Sequence, residues 1–416
     1  MGKTARIEDL DDPAFDPTVE TGIFPDFSGD PFTTMRAIIG RGGEVQEGSI
    51  HSLVVPGATF HDPLRRHFAV LGASAARTVL GNAELFSQEA YAPDVRRTFG
   101  NAINQMEPPV HTRYRRVLQK VFLPHIVATW SDNLVQPVID ALIIDMKRSD
   151  RAELISQFTH RYPFQIIFRQ LNLPPEDIKI FQKLAETLGL RTADMLIPME
   201  ASRKLGIYLE TLIEERRRNP GDDLISQLIQ AEAEGERLPD DIIISFFRQL
   251  LNAAGDTTYR ATGNLFVGLL RDRPEQYRQL LHDRSQIPKA VEEVMRWNGP
   301  IIAIHRMAMR DTELAGVHIP AGSFLEVNYS SLGHDAAVHE QPDAYDMTRA
   351  EPKRHMGFGY GIHVCIGQHL ARLEMTRALD AMLDHFPQMR LDPDFPPPVI
   401  CGWGLRSPDA IHVILD

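Results

Sequence analysis

Cysteine is nearly absent: the 416 residues hold two, Cys365 and Cys401. So few thiols exclude a disulfide framework and suit a reducing cytoplasm. They also leave structural zinc without its four ligands. His363 and Cys365 could begin such a site, but Cys401 lies far along the chain with no Cys-x-x-Cys partner. No apolar run approaches the roughly 20 residues that span a bilayer. The opening Met1 to Glu20 is polar and rich in Asp and Pro, unlike a signal or transit peptide, and Arg6 stands where a myristoylation motif wants Ser or Thr. No Gly-x-Gly-x-x-Gly fingerprint marks a flavin or nicotinamide site. Positive charge is not in excess either, since 44 Lys and Arg against 56 Asp and Glu leave a net −12. That balance disfavours non-specific binding to nucleic acid. The expectation is a cytoplasmic chain that engages neither membrane nor nucleic acid.

What is present is a globular composition, 43% hydrophobic and 24% charged. No low-complexity linker divides the chain, which is long enough to bury a large core and a cofactor. Its most unusual stretch runs Gly357-Phe358-Gly359-Tyr360-Gly361-Ile362-His363-Val364-Cys365-Ile366-Gly367. Glycines on alternate positions before one thiol permit close approach of the backbone, so a flat macrocycle could lie against it. A thiolate on iron in such a dry loop pushes electron density onto the metal and favours O–O cleavage. A lone Cys in a glycine-rich turn is equally read as a small buried hydrophobe. Spacing alone leaves both readings open.

Other stretches carry chemistry-bearing residues. After Pro108-Pro109 a basic helix runs to about Phe122, with His111 and Arg115 four apart on one face, where two donors could hold a carboxylate. A solvated basic face is the plainer account of the same pattern. The longest helical pattern, Asp240 to Arg271, contains Asn252-Ala253-Ala254-Gly255-Asp256-Thr257-Thr258. A glycine, an acid and two threonines among hydrophobes are a local conflict of the kind that marks functional sites. In the helix from Pro288 to Trp297, either Glu292 or Glu293 could meet Arg296 by spacing. Short apolar segments such as Ile50 to Val55, with turns at Pro56-Gly57 and Asp62-Pro63, predict a small sheet region. Gln88 to Gln105 reads as a loop. Val127 to Glu234 reads as helical throughout, and Thr312 to Asn328 as a hairpin turning at Pro320-Ala321-Gly322.

The spacing Phe358-x-x-Gly361-x-x-x-Cys365-x-Gly367 resembles the signature of the cytochrome P-450 family of haem-thiolate monooxygenases. The other stretches occur in that family's order, from about Pro108 to the carboxyl terminus. The resemblance implies a mainly α fold with small β-sheets (α+β), haem lying between a long distal helix and a proximal Cys loop. It implies one domain over 1–416, β-rich at about 30–85 and 299–330. Cys365 would be the axial ligand of haem b iron. His111, Arg115, Arg306 and His363 would bind the propionates, and Ala253, Ala254, Thr257, Phe358, Gly359 and Gly367 would lie along the macrocycle. Thr257 would hydrogen-bond the oxygen being activated, and Asp256 would pass protons inward, where the helix opens. One departure is visible: the family's usual order has Gly where this chain has Ala254, with Gly255 in the variable slot. The family's Glu-x-x-Arg pattern selects Glu293 with Arg296, joined by Arg349, as a buried ionic cluster. Tyr345 stands where Phe is usual.

The same resemblance implies dioxygen as co-substrate and electrons from a ferredoxin with its reductase, as in the bacterial, unanchored type. Arg113, Arg116, Lys120, Arg354 and Arg372 are then expected to form a basic docking patch on a monomer. Phe99, Leu250, Ala253, Ile301, Ile302, Ala303 and Ile304 suggest an apolar pocket for a hydrocarbon, terpenoid, aromatic or steroid-like substrate. Leu188 to Met199 could border its entrance, and Val399 to Leu405 could turn back into it. Alternatives within reach are a peroxide-using or isomerase variant of the fold, disfavoured by the Asp256–Thr257 pair, and a non-catalytic haem sensor.

Overall fold

A computed structural model describes residues 29–54, 65–189 and 195–416. The turns expected at Pro56-Gly57 and Asp62-Pro63, and Leu190 of the expected entrance, lie outside the described residues. The chain forms two compact units. In the described residues one comprises Tyr91–Trp130 and Pro163–Asp256, the other residues 29–90, Ser131–Tyr162 and Thr257–Asp416.

The first unit is helical. It contains α1 (Val110–Leu118), α2 (Ile178–Leu188), α3 (Leu196–Arg218) and the amino-terminal part of α4 (Asp240–Val267). Hydrophobes on α2 recur at helical spacing, and Phe181, Leu184, Ala185 and Leu188 are buried against α3. Phe181 meets the Tyr208 ring edge-on at 4.4 Å and lies 6.0 Å from Phe168. The Tyr208 hydroxyl donates to Asp177 Oδ2 at 2.8 Å, which satisfies the polar end of a buried ring.

The second unit holds the sheets. Its five-stranded sheet takes β1 (Val45–Glu47), β2 (His67–Val70), β3 (Phe86–Ser87), β4 (Ala303–Ala308) and β5 (Phe324–Asn328) in the order β1-β2-β5-β4-β3. Strand β5 runs parallel to β2 and antiparallel to β4, and every one of its residues is buried. Two helices position the site: α5 (Ile287–Asn298) and α6 (Gln368–His385), which pack on each other.

Several sequence expectations change. Val127 to Glu234 is not wholly helical, because Arg151–Glu153 pairs with His412–Ile414 and Glu232–Ala233 pairs with Glu236–Arg237. Gln88 to Gln105 carries three short helical segments, Gln88–Tyr91, Val95–Phe99 and Ile103–Gln105. The hairpin begins at Thr312 but turns at Ala315-Gly316, where consecutive positive φ values of 50° and 80° match the twist of its strands. Pro320–Gly322 instead leads into β5.

Candidate functional site

The Cys loop lies wholly in the second unit. The Cys365 backbone N–H donates to the Phe358 carbonyl at 2.8 Å, closing the loop on itself around the turn Gly361–His363. Gly361 has φ +77°, and a Cβ there would collide with the Leu80 carbonyl oxygen, so only glycine lets the loop lie against that backbone. The Cys365 thiol is exposed, as are Tyr360 and Ile362, while Phe358, Gly359, His363, Val364, Ile366 and Gly367 are half-buried. Elsewhere the core covers such side chains; here they keep an uncovered apolar face. A Cβ on Gly367 would meet nothing among the described residues, so their packing does not demand glycine at that position. Helix α6 starts directly after it, at Gln368.

Helix α4 is 28 residues long, about 42 Å. Most of it is buried, but Gln249, Ala253, Asp256, Thr257 and Arg260 keep accessible surface at three- to four-residue spacing. They form one uncovered stripe, with the Ala253 methyl exposed in its middle. The backbone is α-helical through Ala253–Thr258. Gly255, the displaced glycine, is buried against Phe164, whose ring occupies the space a Cβ would need. Its smallness serves helix packing.

The carboxylate choice at α5 resolves by geometry. Arg296 lays Nε and Nη2 on Glu293 Oε2 and Oε1, both at 2.8 Å, and Arg349 Nε reaches Oε1 at 3.0 Å. Glu293 and Arg296 side chains are 0% exposed. The remaining Arg296 donors go to the carbonyls of Gly333, Pro342 and Ala344, which a buried charge requires. The Tyr345 hydroxyl uses the Ala290 carbonyl at 3.4 Å, and burial raises its pKa well above the ordinary value.

The other expected site residues are placed as follows. His111 is buried in α1; burial and the Arg115 charge pull its pKa down to about 4, so it is neutral at pH 7. Arg115 is half-buried on the same helix, with Nε on Gln119 Oε1 at 3.3 Å. Arg306, buried in β4, donates from Nη1 to the His305 carbonyl at 2.8 Å. Phe99 and Leu250 are buried, whereas Ile301, Ala303 and Ile304 keep some accessible surface. Ile302, at 0% exposure, packs with Phe32, Ile50 and Trp403 in the core. Ile301 packs instead against the cluster of Phe68 and Val327, while Ala303 packs against the same cluster as Ile302. The 399–405 segment is a hairpin arm whose Leu405 bridges Ile301 and whose Trp403 is buried in that same core.

The comparisons agree with this geometry. The Cytochrome P450 family model matches residues 197–408. A putative cytochrome P450, YjiB of Bacillus subtilis, is 32% identical over 322 residues, 75% of this chain and 80% of that protein. The chain belongs to the cytochrome P450 family. Another P450 relative, the erythromycin C-12 hydroxylase of Saccharopolyspora erythraea, is 32% identical over 306 residues, 70% of this chain and 75% of that one. Among solved P450 structures, CYP109E1 from Bacillus megaterium in complex with testosterone superposes with a TM-score of 0.79 at 26% identity, covering 93% of this chain and 100% of that one.

P450s are oxidoreductases that use a haem-thiolate cofactor and oxygen, and the residues here fit such a group. One exposed thiol stands in an uncovered apolar cradle beside a glycine that packing among the described residues does not demand. Among the described residues no cluster of three or more His, Cys, Asp or Glu could hold a bare metal ion instead. No described helix is long and apolar enough to cross a membrane. Sequence reasoning missed the pairing of the expected docking cations. Arg113 is bound to Glu234 and Glu236, Arg354 to Glu351 and Arg372 to Glu292. Arg116 and Lys120 of that set stand exposed and form no such ion pair among the described residues.

Proposed function

We propose that the chain, acting as a single-domain cytoplasmic monomer, hydroxylates a small hydrophobic molecule with dioxygen and two electrons from a ferredoxin. The observation that carries this reading is the exposed Cys365 thiol in its self-closed, glycine-lined loop. Bound there, haem b supplies oxygen activation, its thiolate ligand favouring O–O cleavage. The chain's residues do the rest. Cys365 ligates through sulfur, and the amino end of α6 helps hold negative charge on it. By the family resemblance, Phe358, Gly359, Gly367, Ala253, Ala254 and Thr257 would contact the macrocycle, and His111, Arg115, Arg306 and His363 would hold its propionates. His111 would contribute a ring N–H there. Thr257 would offer a hydroxyl donor on the distal side, and Asp256 would hold and relay a proton there. The Glu293–Arg296–Arg349 cluster braces the fold and takes no part in the chemistry. Arg116 and Lys120 supply local positive charge that would steer an acidic ferredoxin. Phe99, Leu250, Ala253, Ile301, Ile302, Ala303 and Ile304 would offer apolar surface to substrate. The testosterone complex of the related P450 supports a hydrophobic ligand of terpenoid or steroid type.

The decisive test is spectroscopic. Haem-loaded protein, reduced and exposed to carbon monoxide, should show the red-shifted Soret band of thiolate ligation, and Cys365→Ala or Cys365→His should abolish it. A folded wild type without that band ends the oxygenase reading. A panel of terpenoids, steroids and aromatics scored by the low-spin to high-spin shift then finds the substrate class, and turnover with ferredoxin and reductase separates enzyme from sensor.

A further inference from the structure

Next to the Glu293 cluster stands a second carboxylate with different partners. Glu292 of α5 is buried; Oε1 accepts from Arg372 Nε at 2.5 Å, and Oε2 from Arg372 Nη2 at 3.2 Å and His355 Nε2 at 3.1 Å. Arg372 sits in α6, and its guanidinium carbon stands 4.1 Å from the centroid of the Phe358 ring. Its Nη1 also reaches Gln368 Oε1 at 3.0 Å. His355 precedes the loop, and its Nδ1 accepts the Gly357 N–H at 3.0 Å. That bond fixes the tautomer: the ring hydrogen is on Nε2, which donates to Glu292. The imidazole also flanks Phe358, with ring centroids 6.1 Å apart. The chain before the thiol and the helix after it are thus tied to one carboxylate. Burial by itself would raise the Glu292 pKa, but the bonds from His355 and Arg372 outweigh it and take it down to about 2.

We propose that Glu292, with His355 and Arg372 as its two arms, is a positioning residue that holds the Cys365 loop in the geometry needed for thiolate ligation. This rests on the reading of Cys365 as axial ligand and extends it to the residues that keep the sulfur in place. A forked, charge-assisted pair resists displacement better than neutral loop contacts do, and the guanidinium over Phe358 clamps the residue whose carbonyl receives the Cys365 N–H. Arg372 is accordingly a clamp, and its charge is spent inside the protein.

The test uses the full chain as wild type, Cys365→Ala, Glu292→Gln, Arg372→Met and Arg372→Lys. In the reduced carbon monoxide complex of the haem-loaded protein, Glu292→Gln and Arg372→Met should lose the red-shifted band on the order of tenfold faster than wild type, the loss expected from one charge-assisted hydrogen bond. Arg372→Lys, which keeps the charge but lacks the fork, should fall between. In the haem-free chain, hydrogen exchange at the Cys365 amide should speed up in the same order. Wild-type decay and wild-type exchange in variants with unchanged circular dichroism would overturn the brace. If Arg372→Met fails to fold, Arg372→Lys decides the matter through the same two measurements. Absence of the band in wild type would instead strike the axial-ligand reading, while the exchange experiment still judges the brace.

Discussion

Thr257 and Asp256 share the uncovered stripe of α4 with Ala253, and each has a distinct chemical task in the proposed reaction. Removing the Thr257 hydroxyl takes away a donor without disturbing core packing, since the side chain is only half-buried. Thr257→Ala should therefore bind substrate as wild type does but divert electrons to peroxide. Product formed per reductant consumed, with peroxide assayed alongside, checks this; full coupling contradicts the assigned role. At the same scale, Glu293 and Glu292 are adjacent in sequence yet serve separate clusters, Arg296 with Arg349 in one case and His355 with Arg372 in the other. A spacing of three or four residues to Arg296 could not separate them, because both fall within reach on a helix.

Among the elements, α4 shows how a motif's order is read by its neighbours. Alanine is favoured over glycine by about 1 kcal/mol inside a helix, so Gly255→Ala would stabilise an isolated α4. In this fold the new methyl meets the Phe164 ring, and overpacking of that kind costs about 1–3 kcal/mol. The net expectation is destabilisation by about 1 kcal/mol, with the double variant Gly255→Ala/Phe164→Leu more stable than the single one. Denaturant unfolding of the three chains measures it, and a stabilised single variant would show that Phe164 yields. The polar break in α4 at Gly255-Asp256-Thr257 and the Cys-loop glycines were legible from spacing and residue type. The Ala315-Gly316 turn was not, because alanine at positive φ is unusual and Pro-Ala-Gly is the stronger turn signal.

Over the whole molecule, titration of buried groups sets opposing limits on stability. Glu292 and Asp343 have pKa values lowered from 4.5 and 3.8 to about 2, the bonds from their cationic and histidine partners outweighing burial. The unfolded chain binds more protons in that interval, so their stabilisation is present above about pH 4.5 and is lost as pH falls toward 2. His111, lowered from 6.5 to about 4, adds a loss that begins nearer pH 6.5. Glu374 acts oppositely. It is buried with Oε2 lacking a hydrogen-bond partner among the described residues, and burial raises its pKa well above 4.5, so its contribution is lost as pH rises. Between pH 6.5 and 4.5 the His111 loss and the Glu374 gain offset one another, so thermal melts should decline mainly below about pH 4.5. Glu374→Gln should raise Tm at pH 8 more than at pH 4; an equal shift at both would show that the carboxyl is not held protonated.

Residue type and spacing by themselves determined the family and hence the mainly helical fold. They singled out the candidate ligand, Cys365, and the acid–alcohol pair, since those depend on short-range order along the chain. Only tertiary structure decided that Glu292 serves Arg372 and His355, that Ile302 is buried with Phe32 and Trp403, and that Gly255 answers to Phe164. Each of these joins groups distant in sequence or separates groups adjacent in it, and periodicity along one helix or strand carries no information about the element packed against it.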